Sequence, residues 1–289
     1  MRSDMVSGET APLTAELVER GYNNRAAVPD HPKFLARYVE LSQAAVLQLR
    51  PDLDVRYGDG SNQTLDLFIP PDARGTFVFI HGGYWRTLDK ADFGFVAPPL
   101  VERGIAVAVL NYALCPGVAI SHIVEQMRLA MRWLVTFGPR RGVATERIVV
   151  GGHSAGGHLV AMLFATDWAR YALPRPPFAA GLTLSGVHDL EPLVLSSMNV
   201  DLRLTTDEAR RVSPVRYAPT TAAPLVVAVG ADETSEFIRQ SQLIFDAWPN
   251  NRPAGMTAPL AIPNRHHFSV VLDHADPDSA LTRAVLSLF

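Results

Sequence analysis

A short glycine-rich stretch, GGHSAGGH at residues 151–158, places four glycines around Ser154. It lies between the apolar run 148–150 and a segment with apolar residues at helical spacing, which favours a nucleophile over an incidental serine in a turn. A sharp turn from strand to helix strains the serine, and glycines two positions away on either side leave room for the neighbouring backbones. The pattern therefore predicts a nucleophilic Ser154 at a helix N-terminus, where the dipole favours developing negative charge.

A serine hydroxyl attacks a carbonyl only when a base takes its proton, so the chain must also supply a histidine and an acid. His266 and His267 follow the last strand-like segment, and a histidine there could reach Ser154 over the carboxyl edge of a sheet. Asp232 and Glu233 follow the preceding apolar run, and one of them could orient the imidazole and stabilise its cationic form. The residues by themselves leave both choices open.

The same chemistry needs N–H donors for the oxyanion of a tetrahedral intermediate. Ala155, directly after the serine, supplies one donor. A second is expected from the loop after the apolar run 76–80, where Gly82 and Gly83 follow a histidine and can turn their N–H groups toward a substrate oxygen. The alternative is a simple Gly-Gly turn. These residues together predict an oxyanion hole.

Several neighbouring side chains invite a role in binding or structure. Tyr84 and Trp85 could line an acyl or aryl pocket, and packing is an equal alternative. His81 is expected to brace the oxyanion loop, and His158 to pack or hydrogen-bond within the helix after the serine. The histidines are scattered without a His-Glu-x-x-His or cysteine-rich pattern, so neither a metal nor another cofactor is expected.

The elements that must position these residues alternate along the chain. Apolar runs at 76–80, 105–110, 148–150, 180–184 and 225–229 suit strands covered on both faces, whereas the alternating run 65–69 suits a half-exposed strand. Helical spacing of apolar residues occupies the segments 120–137, 155–167, 235–248 and 276–289. The predicted fold class is α/β, with one open, mostly parallel sheet and helices on both faces.

Two regions interrupt this alternation. Residues 1–54 predict an N-terminal helical extension that lies over the sheet, in which prolines separate the helical segments. Residues 187–222 predict a helical insertion that roofs a pocket, because they contain an N-cap signal and few β-branched runs. The main domain is expected to span residues 55–289.

The composition of the chain restricts the classes of molecule that this protein is expected to bind. The 289 residues are 48% hydrophobic, carry a net charge of −3 and include one cysteine, Cys115. The charge argues against nucleic acid and an anionic membrane surface, and favours a small-molecule substrate. A single cysteine allows no intrachain disulfide, and the N-terminal residues lack the apolar core of a secretory peptide, so a cytoplasmic location is expected. The sequence leaves a homodimer open.

Taken together, these stretches resemble the α/β-hydrolase superfamily, and within it the kynurenine formamidase (arylformamidase) group, related to hormone-sensitive-lipase-type esterases. The resemblance covers about residues 55–289. Many hydrolases share GHSAGG, whereas the combination of HGGYW with SEFIRQS is specific to a much smaller group of proteins. The matching stretches are HGGYW (81–85), NYALCPGV (111–118), GHSAGGHL (152–159), SGVHDLEPL (185–193), LTTDEARRVSP (204–214), SEFIRQS (235–241) and HHF (266–268).

The resemblance also selects residues and a reaction. The family's histidine directly precedes a phenylalanine, which implies His267, and the spacing from SEFIRQS implies Glu233, with Asp232 as the alternative. The implied activity is a cofactor-independent Ser-His-acid hydrolase that converts N-formylkynurenine to kynurenine and formate. A carboxylesterase for short acyl esters would use the same triad. A binding protein without turnover is disfavoured, because Ser154, an acid and His267 are all present.

Overall fold

The structure, a computed structural model, describes residues 13–289. The first twelve residues of the predicted extension lie outside that range. The described strands are β1 (Asp52–Arg56), β2 (Thr64–Phe68), β3 (Thr76–Ile80), β4 (Ala106–Leu110), β5 (Ile148–His153), β6 (Ala180–Leu184), β7 (Leu225–Gly230) and β8 (Leu260–Ile262). The described α-helices are α1 (Ala15–Tyr22), α2 (Asn24–Ala27), α3 (His31–Leu49), α4 (Pro98–Val101), α5 (Ile120–Phe137), α6 (Ala155–Phe164), α7 (Asn199–Leu202), α8 (Thr206–Arg211), α9 (Ser235–Ala247) and α10 (Ala280–Leu286).

The strands form one sheet in the order β1-β2-β4-β3-β5-β6-β7-β8. The pairs from β4 through β8 are parallel, whereas β2 runs antiparallel to both β1 and β4. This arrangement confirms the predicted mostly parallel α/β sheet. Because Ile80 is in register with Gly152, the loop after β3 and the turn after β5 meet at the carboxyl edge of the sheet.

Helices cover both faces of the sheet and bury two apolar clusters. Side chains of α1, α5, α6 and α9 contribute to the cluster on one face. Side chains of α3, α4 and α10 contribute to the cluster on the other face. The strands between them are consequently apolar on both alternating positions, as parallel strands with two covered faces must be.

Two predictions about the first strands are wrong. Residues 52–54, assigned from sequence to the helical extension, instead begin β1, whose residues are exposed except for Val55. The alternating strand was predicted to be half-exposed, yet all five residues of β2 are buried. Its polar position, Asp66, is buried because the ammonium of Lys90 lies 2.8 Å from its carboxylate. A buried ion pair thus replaces the expected contact with water.

The two regions outside the alternation are both helical where the structure describes them. Residues 13–49 contain α1, α2 and α3, and residues 187–222 contain α7 and α8. They touch each other directly, because the Ser197 hydroxyl donates to the Glu19 carboxylate at 2.9 Å. Between residues 13 and 289, no helix has the length and apolar character needed to cross a membrane.

Candidate active site

Ser154 occupies the turn between β5 and α6 in a strained backbone conformation, with φ 57° and ψ −119°. A Cβ atom at Gly152 would lie 2.4 Å from the carbonyl oxygen of Gly156, and one at Gly156 would lie 1.9 Å from that of Ile80. No side chain fits at either position. The glycines flanking the serine therefore provide the steric clearance that the sequence pattern predicts.

Three side chains from separate loops form one hydrogen-bonded chain at this turn. The Ser154 hydroxyl donates to Nε2 of His267 at 3.0 Å. Nδ1–H of the same imidazole donates to Oε2 of Glu233 at 2.7 Å. All three residues are buried. This is the geometry in which an imidazole can take a serine proton while a carboxylate holds its tautomer.

Neighbouring residues decide between the alternatives that the sequence leaves open. Asp232 is exposed, and its backbone N–H donates to the carbonyl of Arg265. His266 is half-buried, and its Nδ1 accepts from the backbone N–H of Phe268 at 3.2 Å, so it stabilises the turn. The structure brings Glu233 and His267, but neither of their neighbours, into contact with the serine chain.

Glu233 is held by two further donors. Its other carboxylate oxygen, Oε1, accepts from the Ser185 hydroxyl at 2.5 Å and from the backbone N–H of Gly230 at 2.8 Å. Ser185 directly follows β6 and has a positive φ of 52°. Three donors on one carboxylate fix its position beside the imidazole. Ser185 was missed from the sequence, although a hydroxyl residue at the end of a predicted strand was the available signal.

A second histidine lies against the imidazole of His267. The ring of His153 packs 4.7 Å from it between centroids, and its Nε2–H donates to the backbone carbonyl of His267 at 3.0 Å. Burial lowers the pKa of His153 well below its usual value, and the neighbouring imidazole lowers it further. His153 is therefore neutral, and it can orient His267 without competing for the proton.

The loop after β3 makes an unusual left-handed turn. Gly83, Tyr84 and Trp85 have φ values of 108°, 50° and 55°. A Cβ atom at Gly83 would lie 2.0 Å from the carbonyl oxygen of Thr87, so the position requires glycine. Consecutive positive φ values in residues with side chains cost about 1–2 kcal/mol each, and such strain commonly marks functional loops.

Candidate oxyanion donors lie on both sides of the serine. A Cβ atom on Gly82 would be 3.0 Å from that of Ser154, so this loop lies directly against the serine. Among residues 13–289, the loop and turn hydrogen bonds include no donation from the N–H of Gly82 or Gly83 to another backbone group. Ala155 is the first residue of α6, where a helix leaves its N–H without an internal partner.

His81 braces this loop, as the sequence suggested. Its ring is stacked between Tyr112 and Phe93, at 4.3 and 5.8 Å between centroids. Its Nδ1 lies 2.7 Å from the carbonyl of Gly82, and its Nε2 lies 3.1 Å from Oδ1 of Asn111. Burial lowers the pKa of His81. The ring therefore holds the loop in place through its stacking and polar contacts.

Ser154 opens into a cavity of about 370 Å³, within the range of small-molecule sites. Tyr84 lines this cavity, which agrees with its predicted place in a pocket. For Trp85 the pocket role is wrong and the packing alternative is correct, because its ring is fully buried outside the cavity wall. Its Nε1–H donates to Nδ1 of His158 at 3.2 Å, and Nε2–H of that histidine donates to the carbonyl of Val212 at 2.6 Å. Trp85 thereby ties the oxyanion loop to α6 and to the insertion.

The N-terminal helices and the insertion supply much of the cavity wall. The insertion was predicted to roof a pocket, and Ser197 and Met198 agree with that. The contribution of the N-terminal helices was missed, since the sequence indicated only that the extension would lie over the sheet. The polar run before the prolines at 29 and 32 was the available signal. Residues of these two regions that line the cavity are Asn23, Asn24, Arg25, Ala26, Leu35, Tyr38, Ser197 and Met198.

The parallel sheet, the strained serine between strand and helix, and the hydrogen-bonded imidazole and carboxylate define an α/β-hydrolase. The BD-FAE family model matches residues 65–170. The kynurenine formamidase of Salmo salar is 31% identical over 82% of this chain and 81% of its own. That of Drosophila melanogaster is 30% identical over 79% and 78%. The chain belongs to the kynurenine formamidase family.

A solved structure supports the same fold over nearly the whole chain. A crystal structure from Silicibacter sp. TM1040, whose description proposes a thioesterase, matches with a TM-score of 0.80 and 32% identity. The match covers 92% of this chain and 97% of the other. Because residues 55–289 alone are a smaller share of the chain than the match covers, the match includes part of the N-terminal extension.

Proposed function

We propose that the enzyme hydrolyses N-formylkynurenine to kynurenine and formate. The observation that carries this proposal is the chain of hydrogen bonds from Ser154 through His267 to Glu233 at the cavity. It supports acyl transfer to a serine. Relatives named kynurenine formamidase at about 30% identity support an aryl formamide as the substrate.

In the first step, Ser154 Oγ attacks the formyl carbon while Nε2 of His267 takes the hydroxyl proton. The carbonyl oxygen becomes an oxyanion, which the N–H groups of Gly82, Gly83 and Ala155 are proposed to stabilise. The imidazolium then donates its proton to the anilino nitrogen, and the C–N bond breaks. Kynurenine leaves, and the formyl group remains as an ester on the serine.

In the second step, His267 takes a proton from water, and the hydroxide attacks the formyl ester. The tetrahedral intermediate collapses with return of the proton to Ser154 Oγ, and formate leaves. Glu233 stays ionised throughout and stabilises the imidazolium that forms twice in each turnover. The dipole of α6 adds favourable potential at the oxyanion.

Substrate size tests this proposal against its main alternative, a carboxylesterase for short acyl esters. A tight acyl side should make kcat/KM highest for N-formylkynurenine and lower it about tenfold or more from formyl to acetyl and again to butyryl, since overpacking costs about 1–3 kcal/mol. An esterase pocket should instead gain up to about 0.8 kcal/mol for each buried methylene.

The measurement is kcat/KM along the N-acylkynurenine series and along the matching p-nitrophenyl esters. A profile that rises from formyl to butyryl, with little activity on N-formylkynurenine, would reject the formamidase and leave the esterase.

We propose a cytoplasmic enzyme whose partner is its small-molecule substrate, with neither nucleic acid nor a membrane involved. A buried free Cys115 and the net charge of −3 support this. A homodimer is compatible with it.

A further inference from the structure

The cavity beside Ser154 is lined by basic residues without acidic ones. Among residues 13–289, its wall includes two arginines, Arg25 and Arg86, but no aspartate or glutamate. A cavity with cations and without acids favours a ligand that carries negative charge. The formyl group itself is neutral, so its chemistry gives no reason for this charge.

The two arginines differ in their partners. Arg86 forms an ion pair with Asp201, so most of its charge is already compensated. Arg25 forms no ion pair or side-chain hydrogen bond within the described chain, and it remains exposed while it lines the cavity. Arg25 is therefore a basic residue of the cavity wall without a partner among residues 13–289, and guanidinium groups bind carboxylates through paired N–H donors.

The residue before it provides a second unused donor. Asn24 is only 4% exposed and belongs to the cavity wall. Its side-chain amide nitrogen is buried and has no acceptor among the described residues. A buried donor without a partner is costly and rare, so a ligand that supplies the acceptor would relieve the cost.

The segment that carries both residues is fixed to the catalytic loops. The Tyr84 hydroxyl donates to the carbonyl of Tyr22 at 2.6 Å, and the Thr234 hydroxyl donates to the carbonyl of Gly21 at 2.7 Å. These bonds link the segment to the oxyanion loop and to the residue after Glu233. The donors are thus held in a set position relative to the serine, which lowers the entropic cost of binding.

We propose that Arg25 and Asn24 form a carboxylate subsite for the amino-acid end of the leaving group. This inference rests on the proposed function, because it places the formamide at Ser154 and the α-carboxylate at the opposite end of the same substrate. The subsite explains why the N-terminal helices line the cavity. It would distinguish a formamide that carries an amino acid from neutral esters and anilides.

The test compares N-formylkynurenine with its amide, in which a carboxamide replaces the α-carboxylate. The wild-type enzyme should prefer the acid in kcat/KM, and Arg25→Ala should lower that preference about tenfold, mainly through KM, because a charge-assisted bond is lost. Arg25→Lys should retain part of the preference. Asn24→Asp, nearly isosteric, should shift it further toward the amide.

Arg20→Ala is the matched control, because Arg20 is an exposed arginine of the same segment that does not line the cavity. It should retain the wild-type preference. An unchanged preference in Arg25→Ala, or equal kcat/KM for acid and amide in the wild type, would overturn the subsite. Circular dichroism and a melting curve would verify that each variant is folded.

A binding experiment tests this inference separately from the proposed reaction. Titration of Ser154→Ala, with and without Arg25→Ala, by calorimetry with the acid and the amide measures recognition without turnover. Tighter binding of the acid that depends on Arg25 supports the subsite, and equal dissociation constants reject it. Absence of turnover of both compounds by the wild type would reject the formamidase, and the titration would still decide on the subsite.

Discussion

Backbone strain at single residues prepares this site before any substrate binds. Ser154 has positive φ, as do Tyr84 and Trp85 in the facing loop. Conformations of this kind persist only where the surroundings impose them, at about 1–3 kcal/mol each. The surroundings here include the backbone N–H of Ser154, which donates to the carbonyl of Leu184 at 2.8 Å. The strain presents the hydroxyl to the cavity and leaves N–H groups free beside it.

The choice of acid is a prediction at this scale. Glu233→Gln should lower kcat by about 10³–10⁴-fold, since an amide can hold the unproductive tautomer and cannot stabilise the imidazolium. Asp232→Asn, the matched control one residue away, should leave kcat within about threefold, because its exposed carboxylate is screened by solvent. Steady-state kinetics on N-formylkynurenine measures both, and the reverse ranking would assign the role to Asp232.

Residue types and order indicated Ser154 and a later histidine and acid, because the turn at the serine is set by local sterics. The residues alone did not separate Glu233 from Asp232. That distinction depends on how the turn after β7 faces Ser185, a residue 48 positions earlier. Arg25, Asn24 and Tyr38 were missed for the same reason, since their places follow from packing across the whole chain.

At the scale of elements, the ends of four neighbouring parallel strands deliver the site. The turns after β3, β5, β6 and β7 provide, respectively, the oxyanion loop, the serine, Ser185 and Glu233. This is the carboxyl edge at which open α/β sheets bind ligands. His158 couples two of these turns to the insertion through Trp85 and Val212, and burial lowers its pKa to about 4, so it is neutral.

The close approach of α6 to β3 leads to a prediction about Gly156. Gly156→Ala should lower the free energy of unfolding by about 3 kcal/mol or more, because its Cβ atom would meet a backbone carbonyl that cannot move independently. Gly104→Ala is the control, since its Cβ atom would meet nothing within 4 Å. Its positive φ alone should cost about 1–2 kcal/mol. Urea denaturation measures both, and equal losses would contradict the packing argument.

The alternation of strands and helices predicted these elements well. Buried strands such as β3 and β7 consist of apolar residues throughout, so they can be recognised without knowledge of the elements that pack against them. It failed where tertiary contacts decide. Asp66 looks like a surface position in an alternating strand until Lys90 pairs with it. The segment that forms β1 carries too few apolar residues to indicate a strand, and it is paired only at the edge of the sheet.

At the scale of the whole molecule, the cavity lies between the sheet edge, the N-terminal helices and the insertion. Tyr38 of α3 donates to the backbone carbonyl of Phe268, next to the proposed base, so the N-terminal region also fixes the histidine loop. The hydrogen bond between Ser197 and Glu19 joins the insertion to the N-terminal helices. Three parts of the chain that are distant in sequence thus shape one small-molecule site.

The most direct test of the proposed chemistry is the turnover of N-formylkynurenine by the wild type and by Ser154→Ala. The wild type should release kynurenine and formate in equal amounts. Ser154→Ala should lose about 10⁴-fold or more in kcat, because no other group can carry the formyl ester. Its melting temperature should stay near that of the wild type, since the turn depends on its glycines. Retention of kcat within about tenfold would contradict a serine nucleophile.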